Sequence, residues 1–450
     1  MLAVILICGA TIPTSCSTED NPTPVDPDPE TPVEPVVYET MKEALEHIPI
    51  VEKIKEEETY EYAEKYSLFF RQPEDHYNPS AGTFLQKVIL KFVGFDAPTV
   101  LVTSGYFVQD SPCELAEMMN ANIVAVEYRY FGESKVDDDP QWTNLTLRQQ
   151  ADDLHAIVTA LKPVLKGKWV STGVSKAGTT SIEYRYFYPD DVDGTVAFCA
   201  PIMTSDADPR ITSYMLTESG TPEVREVMKA QIAHLLKDGK EGLYKDFCKW
   251  TKDNGYKAAP SFEQYANAIF IAYHNVFQGL PERSWHIELP AADASDNDLF
   301  EHLNMPISAF LEPIASVMLY PYYIQQLKEF GRESIVTPET ADWLKGTGYT
   351  AEAGISLNLN DADKWISGTF DGTVHKKILE AFLPTTKCPI MFVYSKHDPW
   401  TGGRPLGINN PNVQTVINPV GIHDECIKEQ RNTYNEATTQ AVKAFVDGLK

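Results

Sequence analysis

The chain has 450 residues, 43% of them hydrophobic and 11% aromatic, which is enough for a large core and more than a disordered chain carries. Its 64 acidic residues outnumber 38 basic ones, leaving a net charge of −26 with no run of lysine or arginine. Nucleic acid and anionic membrane surfaces both demand basic patches, so neither is an expected partner.

In chain order, residues 1–10 are an apolar stretch too short for a membrane span, followed by Pro13-Thr-Ser-Cys16. Residues 1–16 resemble a bacterial lipoprotein signal with Cys16 as the lipidated residue. Residues 17–38 mix prolines that interrupt any helix with acids that repel one another, the composition of an extended tether. The expectation is an exported protein that meets a membrane through a lipid anchor only. Setting aside Cys8 and Cys16 leaves Cys113, Cys199, Cys248, Cys388 and Cys426, an odd set that implies at least one free thiol or an intermolecular bond. Cys199 and Cys388 lie in apolar runs and read as packed core thiols. No CxxC pair or clustered His/Cys spacing argues for a metal, and no cofactor is expected.

Residues 66–71 and 83–92 read as opening antiparallel strands. Apolar runs follow at 100–105, 122–130, 169–174 and 194–200, separated by helical segments of which 145–161 has the clearest buried face. Alternating strand and helix implies a mostly parallel sheet covered on both faces, with right-handed crossovers collecting the strand ends on one edge. From 203 to 387 the pattern becomes helix after helix, including 222–237, 262–277 and 308–330, which reads as a cap able to exclude water. The aromatics Tyr320, Tyr322, Tyr323 and Trp343 read as cap core.

Lys168-Trp-Val-Ser-Thr-Gly-Val-Ser175-Lys-Ala-Gly178 is an apolar run that breaks at Gly173 and delivers one serine before helix-forming sequence. This is the pattern of a nucleophile elbow, with Ala177 where G-x-S-x-G has its last glycine. Cys388-Pro-Ile-Met-Phe-Val-Tyr-Ser395 then reads as a buried strand emptying into Lys396-His-Asp398-Pro-Trp-Thr-Gly-Gly403, and residues 413–420 empty into Gly421-Ile-His423. A serine hydroxyl needs an imidazole to take its proton, and the imidazole needs a buried carboxylate to fix its tautomer. His423 is the candidate base and Asp398 the candidate acid; His397 and Asp424 are the rivals, each placed unfavourably by adjacency. His76, His155 and the cap histidines suit structural roles. The oxyanion requires backbone donors, expected from Lys176 after the nucleophile and from Tyr106 after Gly105, with Phe107 the near alternative.

The order Ser, Asp, His on loops after successive strands is that of the α/β-hydrolase fold. The expected organisation is a catalytic domain from 39–202 and 388–450 with a helical cap at 203–387.

Glu127-Tyr-Arg-Tyr-Phe-Gly-Glu133-Ser134, Gly173-Val-Ser-Lys-Ala-Gly and Asp398-Pro-Trp-Thr-Gly-Gly together resemble the secreted tripeptidyl aminopeptidase family of bacterial serine peptidases. They are more distantly similar to the prolyl carboxypeptidase and dipeptidyl peptidase 7-like family, and the lysine after the serine points to the first. The resemblance implies release of di- or tripeptides from polypeptide N-termini under a cap that limits access. It also implies a carboxylate for the substrate ammonium, with Glu127 and Glu133 as candidates by position, and Trp400 as a candidate lining of the substrate pocket. An internal ion pair of those glutamates with Arg129 or Arg185 is the competing expectation. A carboxylesterase or lipase using the same triad, and a non-catalytic surface binding protein on this fold, are the alternatives.

Overall fold

Nine strands form the central sheet of the computed structural model, which describes residues 38–78, 80–136, 142–278, 288–311, 318–349, 370–429 and 432–449. The apolar leader, Cys16 and the acidic segment through residue 37 lie outside the described residues. The sheet opens with β1 (Val51–Glu56), β2 (Glu64–Pro73) and β3 (Thr83–Phe92). It continues with β4 (Thr99–Thr103), β5 (Asn122–Val126), β6 (Trp169–Val174) and β7 (Gly194–Phe198). A two-residue parallel bridge joins β8 (Ala207–Asp208) to β9 (Arg332–Glu333), and the main sheet closes with β10 (Ile390–Ser395) and β11 (Val413–Asn418). The order is β1-β2-β3-β5-β4-β6-β7-β10-β11. Pairing is antiparallel from β1 through β3 to β5 and parallel from β5 onward.

Burial explains the composition of each strand. Every residue of β5, β7 and β10 is buried, as expected of parallel strands with both faces covered, so these run apolar without alternation. β2 alternates because only one face meets the core. β1 went unread in the sequence because Val-Glu-Lys-Ile-Lys-Glu is a polar, half-exposed edge strand whose pairing shifts between Glu52 and Lys55.

Two helices flank the elbow strand: α3 (Leu147–Leu161), capped by the Thr146 hydroxyl accepting the Gln149 N–H, and α4 (Lys176–Phe187). Between β7 and β10 come α5 (Arg210–Thr217), α6 (Pro222–Leu236), α7 (Leu243–Asp253), α8 (Phe262–Asn275), α9 (Asp296–His302) and α10 (Asn304–Leu311). (The short α1 and α2 are Met41–Glu46 and Glu114–Met119.) The inserted helices share their own core, including Ile232, Phe247, Tyr265, Ile269 and Leu303. Where one helix was expected over 308–330, α10 ends at Leu311 and a separate helix starts at Tyr320, with Pro321 in its first turn, where a missing N–H costs nothing. That second helix widens into a π-turn at Gln326–Phe330. Ile378 and Leu383, at the end of the insertion, pack with Ile182 and Phe392 against the sheet. No helix among the described residues is long and apolar enough to cross a membrane. The five cysteines outside the leader segment are unpaired.

Candidate active site

β6 ends at Val174 and α4 begins at Lys176, so Ser175 alone makes the turn, at φ 62° and ψ −131°. Such a conformation costs a non-glycine residue about 1–3 kcal/mol and persists only when its surroundings hold it. Here the Ser175 N–H donates to Phe198 O at 2.9 Å, and Ser175 O accepts the Thr179 N–H at 3.0 Å. Gly173 is required by close approach, since a Cβ there would sit 2.5 Å from the backbone carbon of Ala177. The methyl of Ala177 fits in place of the usual glycine.

Asp398 follows β10 and His423 follows β11, both at the carboxyl edge of the parallel strands that also carries Ser175. Asp398 is fully buried; its Oδ1 accepts the Trp400 N–H at 3.1 Å and its Oδ2 lies 2.9 Å from His423 Nδ1. An ionised carboxylate only accepts, so the imidazole carries its proton on Nδ1 and leaves Nε2 free as a base. Ser175 and His423 line one cavity. Among the described residues no hydrogen bond engages the Ser175 hydroxyl, a contact that commonly tightens only with substrate in place. His397 does not line that cavity, and burial together with Lys396 holds its ring below the usual histidine range. Asp424 turns its Oδ2 to the Thr433 hydroxyl at 2.8 Å. Behind the pair lies Cys199, whose Sγ is within 4.8 Å of the Asp398 and His423 ligand atoms. Burial, reinforced by Asp398, pushes its thiol well up, and the thiol donates to Asp424 O at 3.5 Å.

The loop after β4 brings Tyr106 beside the start of α4, and Tyr106 and Lys176 both line the cavity. Neither backbone N–H has a protein acceptor among the described residues. Phe107, the alternative donor, packs its ring edge-on against Phe131.

The cavity measures about 390 Å³ and lies between the strand ends and the inserted helices. Trp400 lines it, its ring centroid 4.8 Å from that of His274 and 6.4 Å from that of His423. The structure does not bring Glu127 and Glu133 to it. Glu127 is buried, and its Oε2 accepts the Glu133 N–H, the Ser134 N–H and the Ser134 hydroxyl at 2.8–3.0 Å, while Oε1 takes the Val108 N–H. It thereby latches the β5 loop to the β4 loop. Glu133 is exposed and pairs with Lys87 on the surface. Arg129 pairs with Asp153, and Arg185 donates to the Val192 carbonyl, so neither forms the expected ion pair with those glutamates.

The carboxylate in the cavity is instead Glu333, at the end of β9, with Oε2 2.9 Å from His274 Nδ1. Its Oε1 has no hydrogen-bond partner among the described residues, and His274 Nε2 is buried without one. Tyr322 and Tyr323 pack against hydrophobic core clusters and also line the cavity, as does His274 among the cap histidines. The sequence carried little signal for this wall, because Glu333 belongs to a two-residue bridge and His274 to the buried face of α8. A larger cleft of about 700 Å³ within the insertion shares only Met305 with the site and contains neither Ser175 nor His423, so size does not locate the chemistry.

A mostly parallel sheet with a strained serine between strand and helix, and with acid and base on later strand ends, defines an α/β-hydrolase. The PS-10 peptidase S37 model matches residues 33–423, and the chain belongs to that family of serine peptidases. It is 30% identical over 364 residues to prolyl tri/tetrapeptidyl aminopeptidase of Streptomyces mobaraensis, covering 78% of this chain and 72% of that one. It is 25% identical over 250 residues to serine protease vicPb of Bipolaris victoriae (strain FI3), covering 44% and 47% respectively. Among solved structures, a proline iminopeptidase from Mycobacterium smegmatis aligns over 84% of this chain and 98% of its own at 12% identity and a TM-score of 0.41.

Proposed function

We propose that the protein is an exported aminopeptidase that releases di- or tripeptides from polypeptide N-termini through an acyl-enzyme on Ser175. The observation that carries this reading is the composition of one cavity. Ser175 and the Asp398-supported His423 stand at the sheet edge, and Glu333, a carboxylate with an unengaged oxygen, stands on the opposing wall. His423 Nε2 takes the Ser175 proton as the hydroxyl attacks the scissile carbonyl, and the Lys176 and Tyr106 N–H groups receive the oxyanion. The imidazolium, stabilised by Asp398, then protonates the departing amine, and a water activated by the same base releases the peptide. Glu333 binds the substrate ammonium, a charge-assisted contact that strengthens in a site shielded from water. Trp400, Tyr322 and Tyr323 supply apolar walls for the residues between that ammonium and the scissile bond.

The test is a paired digest of peptide libraries with free and acetylated N-termini, read by mass spectrometry. The proposal requires short N-terminal fragments from the free library alone. An esterase would hydrolyse acyl esters in preference and respond little to the acetyl group. Export and lipid anchoring are supported by the apolar run of residues 1–10, Cys16 and the acidic, proline-rich segment after it. Metabolic labelling with a radioactive fatty acid should mark the wild-type protein and leave Cys16→Ser unmarked.

A further inference from the structure

We propose that the Lys176 side chain is a positioning residue for the oxyanion hole, holding the Gly105 carbonyl so that the Tyr106 N–H is fixed and polarised toward the reacting carbonyl. The inference rests on the reading of Ser175 as nucleophile. Lys176 is buried, and among the described residues its ammonium has no carboxylate within ion-pair distance. Among the described residues its one hydrogen bond runs from Nζ to Gly105 O at 2.9 Å. The Tyr128 ring lies beneath it at 3.6 Å, with the rings of Tyr106 and Phe330 at 5.5 and 5.7 Å. These faces attract a cation but do not neutralise it. A buried ammonium without a carboxylate partner is costly, and here its hydrogen bond to Gly105 O is what offsets that cost.

The role follows from peptide geometry. A trans peptide directs its C=O and its N–H to opposite sides, and the chain has no cis bond among the described residues. Lys176 draws the Gly105 C=O toward the core, so the N–H of the same peptide, that of Tyr106, points the other way. Several flanking groups are already committed. The Ser104 N–H donates to Val126 O at 3.3 Å, Tyr106 O accepts the Tyr128 N–H at 3.0 Å, and the Val108 N–H donates to Glu127 Oε1 at 3.3 Å. The N–H groups of Gly105, Tyr106 and Phe107 have no acceptor among the described residues, and that of Tyr106 is the one whose own peptide carbonyl Lys176 holds. Gly105 makes the approach possible, because a Cβ there would lie 2.9 Å from both Ala177 N and Lys176 Cβ. Lys176 thus supplies one oxyanion donor through its backbone and governs the second through its side chain.

The charge on that clamp is sensitive to pH. Burial lowers the Lys176 ammonium to about 7, opposed by Glu183 two turns further along the same face of α4. Glu183 itself bonds His375 Nε2 at 2.8 Å, and Tyr106, Tyr128 and Phe330 are the groups facing Lys176 from other elements. Below that value the ammonium polarises the peptide; above it a neutral amine holds the carbonyl more weakly.

The experiment measures the rate at which an alkyl fluorophosphonate modifies Ser175, across pH, in wild type, Lys176→Met and Lys176→Gln. This probe has no amine, so Glu333 and the substrate ammonium play no part. A lost oxyanion donor costs about 10²–10³-fold, and a misdirected one should slow the maximal rate about 10–100-fold with probe affinity unchanged. Wild type should lose rate as pH rises past neutrality, and the variants should lack that limb. Wild-type rates in both variants, or an unchanged alkaline limb, would overturn the proposal. Two folded but slow variants that keep the limb would also overturn it, since slowness alone is what damaged packing produces. Failure of wild type to label at Ser175 would instead overturn the nucleophile assignment, and this proposal with it.

Discussion

The two walls of the cavity are built differently. On the sheet side, Ser175, Tyr106, Asp398 and His423 sit at strand ends, each fixed by short backbone hydrogen bonds or by a buried partner. On the helical side, the cavity meets side chains of α8, of the helix from Tyr320 and of the bridge residue Glu333, with aromatic faces and one carboxylate. On the proposed reading this division places bond-breaking on the strand ends, where sub-ångström geometry decides rate, and recognition on the helical side.

The comparison breaks first if sheet-side changes fail to dominate the rate. Ser175→Ala and His423→Ala are each expected to reduce kcat by about 10⁴–10⁶-fold with KM little altered and the folded state intact by circular dichroism. Glu333→Gln sharpens it from the other side, raising KM for free peptides about 10–100-fold while leaving hydrolysis of N-blocked esters unchanged. A kcat loss on both substrates would place Glu333 in the chemistry instead.

A smaller effect concerns stability. The folded Lys176 amine titrates near 7 and the unfolded one at 10.5, so between these values the unfolded chain binds more protons. Folding stability from this group therefore rises with pH across that window and carries its full penalty below it. Lys176→Met should melt higher than wild type at pH 6, and the gap should narrow by pH 9.5, as differential scanning calorimetry can read. The smallest effect is expected at Glu133→Gln. It removes a surface pair with Lys87 worth about 0–1 kcal/mol, and kinetics should change less than about two-fold.

What was legible in the sequence follows the same division. The run from Trp169 through Gly173 to Ser175 announces a strand, a turn that tolerates only small neighbours and a helix start, because those constraints are local. Asp398 and His423 were readable because buried strands precede them and the order of the loops is fixed by topology. Glu127 misled because a carboxylate beside a strand end reads the same whether it faces substrate or collects backbone N–H groups. Only the fold of the loop onto Ser134 and Val108 separates these cases. Glu333, His274, Tyr322 and Tyr323 were not legible, since they converge from segments distant in the chain and no local spacing encodes which face of a helix meets a cavity. The Lys176 side chain lay in plain view beside the serine, but its bond to Gly105 crosses from one loop to another.

The central claim, that Ser175 acts on the peptide bond a few residues from a free N-terminus, is tested most directly by mass spectrometry of one decapeptide supplied with a free and an acetylated N-terminus. The account predicts a dipeptide or tripeptide and its complement from the free form, and an intact acetylated form. Equal cleavage of both, or cleavage from the C-terminal end, would contradict it.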